Sequence, residues 1–384
     1  MQRDGGDVAI VGAGIIGLSI AFELAGRGAH VRVFDTGEPA MAASWAAAGM
    51  LAPITEALAD EQMQSLCEWS LSLYPEYVEQ LRAASGLDPG LELRGIVRAA
   101  YTGAQEEILA GRAVALAKRD RRCELLDRHE ALLCEPGLGQ NVRAALLVAG
   151  EGQVDNRRLG RALVAACESR GVRIERRVRE LRLESDARRV LGLRYGGGFA
   201  PASCVVNAAG AWAGAVEGVP AESEAPVHPV KGQMLALAAP VDFVRHPIWL
   251  PETYLVPRPD GRLLVGATAE AGAFDTRVTA RGMRTLLDAT LDFMPSLRDF
   301  TVAETWAGLR PATADELPIL GPTPTGGYFL ATGHYRNGVL LAPATARLLA
   351  DAIEGRELPM LSPFHLSRFG TDARRRWRSV PSPR

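Results

Sequence analysis

The stretch DVAIVGAGIIGLSIAFELAGRGAHVRVFD, residues 7–35, limits the possible folds more than any other part of the chain. Val8–Val11 is a short apolar run. Gly12, Gly14 and Gly17 then form GxGxxG. Ile16 to Ala25 carries apolar residues at helical spacing, Gly28 ends that pattern, and Val31–Phe34 is a second apolar run closed by Asp35. This is the order of a strand–helix–strand unit. Gly12 permits the tight turn, Gly14 lets a pyrophosphate approach the backbone, and Gly17 lets helix and strand pack closely. The free N–H groups at the helix start face the phosphates. Asp35 would accept hydrogen bonds from ribose hydroxyls, which argues against a 2′-phosphate and hence against NADP. A glycine triplet alone is weak evidence. Here it follows a strand, opens a helix and has its acid at the right distance, so a dinucleotide site is expected rather than a chance glycine-rich turn.

The remaining composition narrows the class. At 384 residues the chain exceeds the size at which one core keeps growing, and two domains are expected. A net charge of -2 excludes nucleic acid binding as a whole-protein effect. The arginines near 374–378 read as a solvated terminus. Five cysteines, Cys67, Cys123, Cys134, Cys167 and Cys204, are scattered with no CxxC pair, which fits reduced thiols in a cytoplasmic protein. The apolar stretch 8–25 has Asp4 and Asp7 before it, no basic n-region beyond Arg3, and glycines at fixed spacing. It reads as a buried strand, turn and helix, not as a leader peptide or a membrane span. The histidines and acids show no clustered ligand spacing, so no metal is expected. YGGGFA, 195–200, reads as a hairpin turn, and there is no second GxGxxG in strand–turn–helix context. One nucleotide cofactor is therefore expected. If it is FAD, its electrons come from a small substrate.

After the first unit comes AASWAAAGMLAP, 42–53, whose small side chains would let backbone lie against a flat ring. VDNRRLGRALVAACESRGVRI (154–174), CVVNAAGAWAG (204–214), PVKGQML (229–235), TWAGLRPATADELPILGP (305–322) and GHYRNGVLLAPAT (333–345) follow. Together these stretches resemble the FAD-dependent D-amino acid oxidase superfamily, and within it the bacterial glycine oxidases of thiamine biosynthesis, from about Asp7 to Ile353. The resemblance implies an α/β architecture. A discontinuous Rossmann-type FAD-binding domain would take 1–79, 150–217 and 305–365. An α+β substrate domain on a mixed sheet would take 80–149 and 218–304, with 366–384 as a tail.

It also implies roles. Non-covalent FAD would contact Gly12, Gly14, Ile15, Ile16, Gly17, Asp35, Thr36, Ser44, Ala48, Gly49, Met50, Val178, Gly210, Gly333, His334, Arg336, Asn337, Gly338 and Val339. The last of these would lead into a helix whose N-terminus faces the pyrimidine end of the flavin. Arg310 would clamp a substrate carboxylate with its planar fork, Tyr254 would hydrogen-bond it, and Arg336 would support the same anionic end. These are binding and orienting groups. The implied reaction is hydride transfer from the substrate α-carbon to flavin N5, giving an imine and then oxo acid plus amine or ammonia, with oxygen reoxidising the flavin to yield hydrogen peroxide. The substrate would be glycine or a related small amino acid. Two alternatives stay open: a dehydrogenase passing electrons to a quinone or carrier, and an FAD-binding protein without activity. The sequence departs from the glycine oxidase pattern at Ala269, where that pattern has methionine, and at Glu252, where it can have histidine. The lost bulk at Ala269 points to a wider pocket and an acid at Glu252 to attraction of a cationic amine, and hence to a larger N-substituted glycine, such as an N-carboxymethyl compound with an apolar tail. A homo-oligomer stays open.

Overall fold

The strand–helix–strand unit forms as the glycines require. The computed structural model of the chain describes residues 7–56, 58–186 and 188–370. Val8–Val11 and Val31–Phe34 pair in parallel, Val8 opposite Val31, with the helix Ile15–Gly26 between them. Gly12 has φ +101°, and a Cβ on Gly17 would stand 2.0 Å from the Gly12 carbonyl oxygen. The helix can lie against the strand only because that atom is missing. Every residue of Val8–Val11 is buried, as a central parallel strand covered on both faces requires.

That strand sits inside a six-stranded sheet in the order Ile319–Pro322, Tyr328–Thr332, Cys204–Asn207, Val8–Val11, Val31–Phe34, Arg173–Glu175. Neighbours are parallel except at the Ile319–Pro322 edge. The helices Ile15–Gly26, Glu61–Ser85, Asn156–Ser169 and Ala342–Ile353 pack together into one apolar core with it. The helix Glu61–Ser85 is capped by Asp60, whose side chain accepts from Met63 N, and is ended by Gly86 at φ +70°. On this helix the Ser70 and Tyr74 hydroxyls donate to the carbonyls of Leu340 and Val339. They hold the turn before the last helix in place.

A nine-stranded sheet forms the second layer. Its long strand His228–Ala238 pairs antiparallel with Arg262–Gly266, with Glu270–Ala271 and with Val302–Ala312. Tyr254–Pro257 and Arg262–Gly266 form the hairpin that PDG signals, with Tyr254 opposite Gly266. YGGGFA closes the hairpin of Val190–Tyr195 and Gly198–Pro201. Some expected boundaries move. The strand Val302–Ala312, assigned from residue 305 to the cofactor domain, adds instead to the nine-stranded sheet along almost its whole length. Ten paired positions outweigh the pull of the segment that follows it. Leu366 and Phe369 are buried in the core beside the six-stranded sheet, so the start of the expected tail is packed. Its remainder, 371–384 with the arginines near 374–378, lies outside the described residues. No helix among the described residues is long and apolar enough to cross a membrane.

Candidate functional site

A cavity of about 860 Å³ opens between the two large sheets, and both line it. Its lining takes in the first glycine turn and the end of Val31–Phe34, and also Tyr254, Arg310 and the loop 334–339.

The cofactor end is built from local backbone. The Ile15 N–H donates to Ser44 Oγ at 2.9 Å, and a Cβ on Gly14 would stand 3.3 Å from that oxygen. The N–H groups of Gly14 and Ile16, both on the cavity wall, have no protein acceptor among the described residues. Free donors at the start of a helix form an anion site. Asp35 lines the cavity but already accepts from Ala13 N at 2.6 Å and Gly37 N at 2.7 Å. It fixes the turn as well as presenting its remaining lone pairs. Thr36, Ala48, Gly49, Met50 and Gly210 also line the cavity, as do His334, Arg336, Asn337, Gly338 and Val339. Gly17, Val178 and Gly333 do not. Gly17 serves helix packing. The Val178 N–H donates to the Asp35 carbonyl from behind. Gly333, at φ +76°, turns the chain where a Cβ would meet Thr313 Cγ2 at 2.8 Å.

The segment 42–50 is held by side chains that the sequence pattern did not single out. Asn156 Nδ2 donates to the carbonyls of Ser44 and Trp45 at 2.8 and 2.9 Å. Trp306 Nε1 donates to Ala46 O at 3.0 Å. Arg258, 4% exposed, donates to Ala48 O at 2.7 Å and to Asn156 Oδ1 at 3.1 Å. Burial lowers the Arg258 pKa to about 10. Gly49, at φ +70°, has its missing Cβ 2.0 Å from Val154 O. Only the stretch VDN, which places Asn156 at a helix start, signals any of this in the sequence.

The last loop differs in detail from expectation. The final helix begins at Ala342, beyond Val339, the last residue of this segment on the cavity wall. The Leu341 N–H bonds back to Asn337 O and the Ala342 N–H to Val339 O, so a tight turn precedes the helix. The N–H groups of Gly338 and Val339 have no protein acceptor among the described residues. They are the free donors at this end. His334 is 2% exposed, with Nε2 bonded to Thr345 Oγ1 at 3.1 Å, and burial lowers its pKa to about 3. It is neutral at pH 7 and too weak a base to take a proton from an ammonium group.

Arg310 and Tyr254 come from two strands of the nine-stranded sheet, Val302–Ala312 and Tyr254–Pro257. Arg310 Nη1 donates to Thr268 O at 3.0 Å, and its guanidinium lies over Gly232. Tyr254 lies over Gly266, whose missing Cβ would stand 2.6 Å from its hydroxyl. Burial raises the Tyr254 pKa, opposed by Arg310 and more weakly by Arg336. The phenol is therefore a neutral hydrogen-bonding group. Arg336 sits 4.9 Å over the Tyr335 ring and donates to its hydroxyl at 3.2 Å. The sequence reading missed Glu56, which lines this end from the short helix Pro53–Glu56. Burial raises its pKa, while Arg336 and a hydrogen bond from Asn337 oppose the rise. Glu252 and Ala269 line the cavity as well.

These features fit FAD: backbone donors without a protein acceptor among the described residues line the cavity at the glycine turn and at the loop 334–339, and missing glycine side chains line its turn. The comparisons agree. The model of the FAD dependent oxidoreductase (DAO) family matches residues 7–352. A bifunctional ThiO/ThiG protein of Trichormus variabilis is 41% identical over 96% of this chain, which spans 56% of that protein. The chain thus covers about half the length of such bifunctional relatives. Glycine oxidase of Geobacillus kaustophilus is 37% identical over 94% of the chain and 97% of its own length. Its crystal structure superposes with a TM-score of 0.89 over 94% of this chain and 98% of that one. Iminodiacetate oxidase of Chelativorans sp. BNC1 is 29% identical, with a TM-score of 0.84 over 93% of this chain and 98% of that one.

Proposed function

Since the chain belongs to the family of FAD-dependent oxidoreductases, we propose that it oxidises the C–N bond of glycine or a related small amino acid, with oxygen as the final acceptor. The observation that supports this reading is that Arg310 and Tyr254, from two strands of one sheet, line the same cavity as the glycine turn. A bound FAD supplies the electron-pair acceptor and, after reaction with oxygen, hydrogen peroxide. The protein supplies position and field. Arg310 takes the carboxylate through its fork, and the Tyr254 hydroxyl donates to the same group. The α-carbon is then fixed in one orientation, which converts an encounter into an intramolecular step. The free donors of Gly338 and Val339 stabilise negative charge that develops beside them. The amine is oxidised in its neutral form, because its nitrogen lone pair must be free to form the imine as hydride leaves the α-carbon. The imine product leaves and is hydrolysed to oxo acid plus ammonia or amine.

A second reading rests on Ala269 and Glu252, both on the cavity wall. A small residue at 269 leaves room beside the amine, and the preferred substrate would then be a larger N-substituted glycine. One experiment tests both. The purified holoenzyme is titrated without oxygen with glycine, sarcosine and N-alkylglycines of rising chain length, and flavin bleaching is followed. Bleaching by glycine with a steady fall along the series supports the first reading, and a maximum at a longer N-substituent supports the second. No bleaching by any of them overturns both. Slow reoxidation by air beside fast dye reduction would identify a dehydrogenase.

A further inference from the structure

Gly232 and Met234 on the long strand His228–Ala238 line the cavity, and the alternation of a strand turns Lys231 and Gln233 to the other face of the sheet. Both are buried there, Gln233 completely. The helix Ala280–Leu291 lies over Gln233, where a Cβ on Gly282 would stand 2.3 Å from Nε2.

Gln233 nonetheless reaches the cavity face through one neighbour. Its N–H donates to Thr268 Oγ1 at 2.9 Å, and its carbonyl accepts from Thr268 N at 3.2 Å. Its side-chain amide donates to Glu270 Oε1 at 2.7 Å and accepts from Thr279 N at 2.7 Å. The Thr268 hydroxyl donates to the same Glu270 oxygen at 2.7 Å. The other oxygen of that carboxylate stands 3.5 Å from Lys231 Nζ. Thr268 lines the cavity between the strands Arg262–Gly266 and Glu270–Ala271, and its carbonyl accepts from Arg310 Nη1 at 3.0 Å. A guanidinium is planar, so one fixed N–H bond limits how its fork can turn.

We propose that Glu270 and Gln233 are positioning residues for Arg310. Glu270 gathers the Thr268 hydroxyl and the Gln233 amide on one oxygen, and Lys231 holds the carboxylate against the sheet. The Thr268 carbonyl is thereby set where it aims the Arg310 fork at a carboxylate in the cavity. Without Glu270 the hydroxyl and the amide lose a shared acceptor, the peptide at 268 can tilt, and the fork turns with it. Small misplacements of an orienting group are costly to rate. The inference rests on the reading of Arg310 as the carboxylate clamp.

The test uses the FAD-loaded protein. Acetate binding is read from the flavin absorbance, and bleaching by glycine is followed without oxygen. Glu270→Ala should keep its FAD and weaken acetate by about ten-fold, the loss expected for hydrogen bonds to a charged group. Glu270→Gln should stay within about three-fold of wild type, because its amide oxygen can accept from the same two donors. A purely structural role would move FAD content and melting temperature instead. In an Arg310→Ala background, adding E270A should change the bleaching rate by less than about two-fold, since two groups that act through one another are not additive. Unchanged acetate affinity in E270A, or a full additive loss in the double variant, overturns the proposal. Should E270A not retain FAD, Thr268→Val decides: it removes only the hydroxyl, and acetate affinity equal to wild type overturns the proposal equally. A wild type that does not bind acetate overturns the Arg310 clamp and the positioning role together. One that binds acetate but is not bleached by glycine rejects the glycine substrate alone, and the acetate comparison then decides the role of Glu270.

Discussion

The Arg310 guanidinium lies flat over Gly232 on the neighbouring strand: a Cβ at position 232 would stand 2.3 Å from Arg310 Nη2. Position 232 has ordinary strand geometry, so its glycine is required by the arginine above it and not by the backbone. Gly232→Ala should therefore leave FAD bound and displace the guanidinium. A misplacement of about 1 Å lowers rates by roughly 100-fold, and kcat/KM for the amino acid substrate should fall by that order. Steady-state kinetics beside the flavin-to-protein absorbance ratio checks this. Unchanged kinetics would show that Arg310 is not used where it stands.

Arg310→Ala should cost more. Losing a charge-assisted pair accounts for about 2–5 kcal/mol, and loss of orientation adds to that. FAD should remain, and acetate should no longer perturb the flavin spectrum. Arg310→Lys should recover only part of the loss, since an ammonium group lacks the planar fork. A variant that loses FAD would instead mark Arg310 as structural.

FAD should be held without a covalent bond. Among the described residues no cysteine lines the cavity, and the segment after Arg310, PATADELPILGP, contains none. His334 is turned to Thr345. Acid or heat precipitation should release yellow FAD into the supernatant. Colour remaining with the pellet would contradict this.

Glu151 should make stability depend on pH. Burial raises its carboxyl from the usual carboxylate range to about 7, against the opposing hydrogen bonds from Thr55 and Ile54. The folded state therefore holds the proton more tightly than the unfolded chain. This contribution is fully present below about 4.5 and is lost as pH rises through about 7. The melting temperature of the wild type relative to Glu151→Gln should fall over that window and level off above it. A difference that is flat with pH would show that Glu151 is ionised throughout.

The N-terminal unit could be read from sequence because its requirements are local. Gly12 must adopt φ +101°, Gly17 must lack a side chain, and the buried strand must be apolar throughout. The Tyr254 hairpin was legible for the same reason, since PDG specifies its turn. The motifs also gave the candidates Arg310 and Arg336. What they could not give is which elements meet. Whether Val302–Ala312 joins the nine-stranded sheet depends on ten partners on a strand about 70 residues away. The roles of Asn156, Arg258 and Trp306 depend on carbonyls far off in the chain. Glu56 carries no motif, and its helix is too short to announce itself. Its place on the cavity wall follows from Glu151, Arg98 and Arg112, which satisfy the peptides before it. Backbone preference acts between near neighbours in sequence and leaves a pattern there. Burial, charge balance and side-chain-to-carbonyl bonds act between neighbours in space, and these only the tertiary structure decided.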